Sequence, residues 1–177
     1  MPTALAEGHA AWAALQRLMA EDADNQAWLL QQRYLALNLG RAPVAAGDAA
    51  AALPVLQVSA DWLRPIVAGG AATPMQRRRL AQTQLAQACA LHAVGVPADA
   101  VAWATEATQA LQALVAEPGT ERDSWMALGE CAATLSGWQQ GSAAQRWKDE
   151  ARSAHAQAAH MQPLTAEHAR RAQWADT

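Results

Sequence analysis

Cys89 and His92 stand three residues apart, a spacing that on a helix turns a thiol and an imidazole to one side and offers a metal ion two ligands. A tetrahedral site needs two more ligands, or one and a water, and no second pair lies at a comparable spacing. Cys89 therefore reads as a small buried residue. Glu150 and His155 lie five apart, with Asp149 and His160 in the same stretch. Acid–base work by such a group requires a cleft and a substrate-positioning partner, neither of which the sequence provides, so a solvated polar face is the plainer account. Arg77, Arg78 and Arg79 form a basic run in the first turns of a predicted helix, where positive charge opposes the helix dipole. The run calls for an acidic counterpart: Glu117, Glu121 or Asp123 ahead of the next hairpin, or an acidic partner or phosphate group. No Gly-rich phosphate loop, metalloprotease helix, nucleophile elbow or paired zinc-binding cysteine motif is present. The expectation is a chain with no catalytic residues, no metal and no cofactor.

What must position these residues is helix. Alanine is by far the most frequent residue, Phe is absent and Tyr34 is the only tyrosine; alanine is the best helix former and a poor strand former. Breaks fall at Glu21 to Asp24, Pro43 to Gly47, Gly69 to Pro74, Gly95 to Pro97, Pro118 to Thr120, Gly137 to Gly141 and Gln162 to Thr165. Thr73-Pro74-Met75-Gln76 is a capping box with proline at the first helical position. Thr120-Glu121-Arg122-Asp123 follows a similar pattern, and Asp24 is placed to cap the segment carrying Trp28. Pro43 predicts an early end to the helix it lies in. The tryptophans, eight in all, are the expected core anchors, a base- or sugar-stacking platform being the alternative.

The spacing also repeats. Trp28, Trp125 and Trp174 fall two periods and one period of about 48 apart, a length that suits one helical hairpin. Gly47-Asp48-Ala49 to Leu53 and Gly95-Val96-Pro97 to Val101 share this step and match in their glycine, alanine and aliphatic positions. One hairpin cannot cover its own apolar face, so neighbours must stack.

Leu39-Gly40, followed seven residues later by Gly47-Asp48 and then by Ala52-Leu53, resembles the tetratricopeptide (TPR) repeat. The longer period, with Asp22, Asn25 and Trp28 before the first helix, is similar to the extended repeats attached to bacterial signalling proteins. The second hairpin keeps Gly95 and Ala100 but has Ala88 where the family prefers glycine; in the third, Gly141 is followed by Arg146 and Trp147. The resemblance implies an all-α fold of seven or eight helices, antiparallel hairpins stacked in a right-handed solenoid. Residues 1–23 would be a half repeat, 24–72, 73–119 and 120–162 three hairpins, and 163–177 a terminal capping helix, in a single domain over 1–177. Beginning in mid-repeat, the chain reads either as a piece of a longer protein or as a short one that opens on a capping helix.

The resemblance further implies a concave groove for a peptide or protein partner. By phase, Tyr34, Leu37 and Arg41 line it from the first hairpin and Gln82, Leu85, Cys89 and His92 from the second, with Arg78 one turn before. A non-catalytic scaffold is thus the expected function; a small helical-bundle enzyme using Glu150 and His155, or a self-associating module, are the competing readings. The net charge of -3 and pI near 5.9 offer no attraction to nucleic acid or an anionic membrane. No apolar run approaches a membrane span. The N-terminal residues lack the layout of a secretion signal, and two cysteines make no disulfide framework, so a cytoplasmic setting is expected.

Overall fold

The computed structural model describes residues 4–45 and 48–161, which are helical throughout apart from short connections. The helices are α1 (Ala4–Glu21), α2 (Gln26–Ala45), α3 (Ala49–Ala68), α4 (Pro74–Ala93), α5 (Pro97–Val115), α6 (Arg122–Trp138) and α7 (Gly141–Met161). The protein is all-α, with no strand among the described residues. The expected terminal helix over 163–177, with His168 and Trp174, lies outside them.

Local chemistry sets the starts and stops. Thr73 Oγ1 accepts from Gln76 N at 3.2 Å while Gln76 Oε1 accepts from Thr73 N at 2.9 Å, the reciprocal box expected at the head of α4. Replacing Thr73 with Ala is expected to lower stability by about 1 kcal/mol, read as a lower midpoint in urea with an unchanged slope. Two other expected caps are corrected. Asn25, not Asp24, caps α2, its Oδ1 accepting from Ala27 N and Trp28 N. Thr120 turns its hydroxyl back onto the carbonyls of Leu114 and Glu117, closing α5, and Glu121 takes the cap position of α6 with no side-chain bond. Nor does α2 end before Pro43: it runs to Ala45, because a proline removes only its own N–H from the ladder and a helix can continue past that loss. Between α4 and α5 the chain reverses through Gly95, whose φ of 88° suits glycine alone, with Val96 N bonded to Leu91 O and Gly95 N to His92 O.

Sequential helices pack as pairs: α2 on α3, α4 on α5 and α6 on α7, with α3 on α4 and α5 on α6 between them. The first helices also meet one another, α2 on α4 and α4 on α6. They begin at Gln26, Pro74 and Arg122, 48 residues apart each time. Helix α4 is therefore covered over most of its surface. Its buried residues, Leu80, Ala81, Thr83 to Ala88 and Ala90, leave no polar stripe.

Small side chains let these helices approach closely. One buried cluster joins Ala81, Leu85 and Ala88 of α4 to Ala104, Ala107 and Leu111 of α5, Leu128, Cys131 and Ala132 of α6, and Trp147 and Ala151 of α7. A second joins Leu37, Ala52 and Leu56 to Ala86 and Ala90 on the far side of α4. A Cβ on Gly40 would collide with Leu56, and one on Gly129 with the ring of His155. The tryptophans do not fill this interior as expected. Of those described, Trp147 alone is buried; the others sit half-buried at the margins, because alanine-lined helices come too near each other to enclose an indole. Arg33 and Arg64 lie over the rings of Trp62 and Trp103, at 5.7 and 5.3 Å from the centroids.

The α3–α4 interface contains polar groups that bond to each other. Ser59 Oγ and Thr83 Oγ1 are 3.2 Å apart with both residues fully buried, and Gln87 Nε2 donates to Gln57 Oε1 at 3.0 Å. Such pairing offsets part of the cost of burying the groups, while Gln87 Oε1 stays buried without a partner.

Candidate interaction face

Helices α2, α4 and α6 share a seam, and several residues singled out by sequence meet there. Arg41, on the last turns of α2, reaches across to Glu130 in the middle of α6, with Nη2 3.5 and 3.4 Å from the two carboxylate oxygens. Both side chains keep about a third of their surface, 36% and 34%. Cys89 of α4 lies half-buried beside this pair. Burial, then the negative charge of Glu130, pushes its thiol up to about 11, with Arg41 pulling the other way. Further in, burial pushes the Cys131 thiol up as well. The shift disfavours the thiolate in both, the opposite of what activates a nucleophilic cysteine. One turn beyond Cys89, the exposed His92 stacks on half-buried Trp138 of α6, ring centroids 4.5 Å apart and planes 5° from parallel.

The remaining candidates fall elsewhere. Leu37 and Leu85 are 4% and 2% exposed; they hold the core together and have no surface to offer a ligand, which corrects their expected place in a groove. Gln82 is half-buried on α4. Tyr34 lies on α2, its side chain outside the described residues. Arg78 is committed within the chain: its guanidinium lies 2.7 Å from Glu121 and 3.8 Å from Asp123, leaving 13% exposed. Arg77 meets Glu117 through two bonds of 2.5 and 2.7 Å, and that hydrogen bond holds the Glu117 carboxyl below its ordinary range. The basic run thus ties the head of α4 to the loop before α6, the internal counterpart its position called for.

Glu150 and His155 diverge. Glu150 accepts from Gln112 Nε2 at 3.3 Å and borders a shallow recess of about 590 Å³ with Ser142, Gln145, Arg146, Asp149 and Ser153. His155 is buried in the α6–α7 interface against Gly129. Among the described residues no group of three or more His, Cys, Asp or Glu side chains could hold a metal ion, and no helix is long and apolar enough to cross a membrane.

Two members of the seam, Glu130 and Trp138, escaped the sequence reading. A signal for Glu130 existed: it is the lone charge inside a run of small and apolar residues from Ala127 to Ala133, where an ion needs a partner to be tolerated. Trp138 lay inside the break assigned to Gly137 to Gly141, although α6 carries it in its last turn.

The seam can therefore present two kinds of contact: a bridged pair of opposite charges and a flat aromatic stack. These are means of recognition by stacking and charge. No protein-family model, no curated protein and no solved structure matches the chain.

Proposed function

We propose that this chain is a non-catalytic scaffold of the tetratricopeptide type, an open right-handed array whose first helices α2, α4 and α6 receive a peptide or protein segment. The reading suits a regulatory or signalling protein of the cytoplasm. The observation that carries it is the common step of 48 residues between those three helices together with their mutual packing, the arrangement in which one face of each hairpin is used up in stacking and one edge stays available. A second feature supports it. Trp125, Leu128 and Gly129 have the Trp-x-x-Leu-Gly spacing of the family's first helix, and a Cβ at Gly129 would meet the His155 ring of α7.

The residues to which this reading assigns contact are Arg41, Gln82, Cys89, His92, Glu130 and Trp138. Because the guanidinium of Arg78 serves the fold, a test should leave it intact. The double variant His92→Ala with Trp138→Ala removes the stack while disturbing an exposed and a half-buried position only. In extracts of the native cell, the variant is expected to recover partners with affinity reduced about 5- to 30-fold, the effect of losing an aromatic anchor worth about 1–2 kcal/mol. Equal recovery of the same partners by a variant with wild-type circular dichroism would overturn the assignment.

A further inference from the structure

Among the described residues, the charge pairs of the basic run link elements that follow closely along the chain. Arg77 and Arg78 reach from α4 to Glu117 and Glu121, the acids that follow α5 and lead into α6. Arg41 and Glu130 are different, because they join the first described hairpin to the third and bypass the whole of the second. They are also held loosely. Separations of 3.4 and 3.5 Å exceed the roughly 2.7–2.9 Å of a well-formed charge-assisted bond, and a pair with this much exposed surface is open to screening by salt.

The helices that carry the pair are suited to small relative movement. Both α2 and α6 rest on α4, where the buried surface includes Ala81, Ala86, Ala88 and Ala90. Small side chains interlock less deeply than large ones, and helices in such contact can shear by small amounts without unpacking. Half-buried Cys89 of α4 lies near enough to the pair for both charges to act on it.

We propose that Arg41 and Glu130 form a reversible electrostatic latch that holds α2 and α6 closed beside Cys89, and that loss of either charge, or a rise in ionic strength, opens it. The latch stands whether or not a partner uses the same face.

Reaction of Cys89 with an uncharged maleimide reads the opening directly, with the labelled peptide identified by mass and the enclosed Cys131 as an internal control. Two variants of the full chain, Arg41→Gln and Glu130→Gln, separate opening from a mere change in thiol ionisation. Glu130 raises the thiol's pKa and Arg41 lowers it. If the charges acted on the thiol alone, Glu130→Gln would speed labelling and Arg41→Gln would slow it. An opened latch speeds labelling in both, severalfold, while Cys131 stays protected. In the wild type, labelling should also accelerate as salt is raised from about 0.05 to 0.5 M, over which the Debye length shrinks from roughly 14 to 4 Å, and in Glu130→Gln it should be flat. Slower or unchanged labelling in Arg41→Gln, labelling of Cys131 in step with Cys89, or a wild-type rate indifferent to salt would each overturn the proposal.

Discussion

Gly129→Ala is expected to destabilise the protein by about 1–3 kcal/mol, the range for forcing extra carbon into a packed interface. The sign is the informative part. In the interior of an unencumbered helix the same change gains about 1 kcal/mol, because alanine is the best helix former and glycine among the worst. At Gly129 the added methyl would land on the imidazole ring of His155, itself buried between α6 and α7. The ring has no open space to retreat into, so the two helices must part. Gly137 provides the control, lying in the last turn of the same helix with nothing within 4 Å of the point where a Cβ would stand; Gly137→Ala should leave stability unchanged or raise it by a few tenths of a kcal/mol. Thermal unfolding checks both, at about 2–4 °C of Tm per kcal/mol for a chain of this size. Adding His155→Ala to Gly129→Ala should recover part of the loss, giving a coupling energy of at least about 0.5 kcal/mol between the two sites. A Gly129→Ala protein as stable as the wild type would refute the close approach.

Trp147→Ala should cost more, about 3–5 kcal/mol, and so consume a large part of the roughly 5–15 kcal/mol that holds a domain together. Trp147 is the buried tryptophan of the α4 to α7 cluster, where its neighbours are mostly alanine and leucine. Nothing adjacent is large enough to move into the space an indole vacates. Its Nε1 is buried without a hydrogen-bond partner, a penalty the folded state carries in addition. Trp147→Phe removes that N–H along with part of the ring, and the two effects oppose, so its cost should be less than half that of the alanine change. Equilibrium unfolding in urea, followed by circular dichroism, measures both. Equal losses for Phe and Ala would place the importance of the residue in its N–H and not in its volume.

Much of the scaffold could be read from the chain. The breaks at Gly69 to Pro74 and Gly95 to Pro97 are where α3 gives way to α4 and α4 to α5, because glycine at a helix end and proline at a helix start are physical requirements of those positions. The step of 48 holds for α2, α4 and α6, and for α3 and α5. Helix α7 starts four residues early, at Gly141, because α6 ends at Trp138 and only Gln139 and Gln140 separate the two. Arg77 and Arg78 were legible for a similar reason: charge set against a helix dipole implies a compensating acid.

The site was less legible. Leu37 and Leu85 have the right phase for a groove, but phase fixes the side of a helix and not what covers that side. Helix α4 packs against α2, α3, α5 and α6, and residues around most of its circumference are buried, polar ones included, leaving a half-buried strip with Gln82 and Cys89. Periodicity therefore loses its meaning on that helix, since an apolar stripe forms only where another face meets water. The isolation of Glu130 among small residues calls for a counter-charge, but that partner, Arg41, lies 89 positions away in sequence, a distance over which no local pattern operates. The tryptophans misled through size: volume suggests an interior position, yet helices faced with alanine leave so little room that most of the described indoles are displaced to the edges.

The buried bonds between Ser59 and Thr83 and between Gln57 and Gln87 bear on how such a protein can change over generations. Smooth alanine surfaces accept many offsets at similar cost, whereas the hydroxyl pair and the amide bond across this interface form at a single offset. The α4–α5 segment is consequently matched to the helix before it. Duplicating or transplanting residues 73–119 would set a copy of Thr83 and Gln87 against strangers, and deleting them would strip Ser59 and Gln57 of their partners.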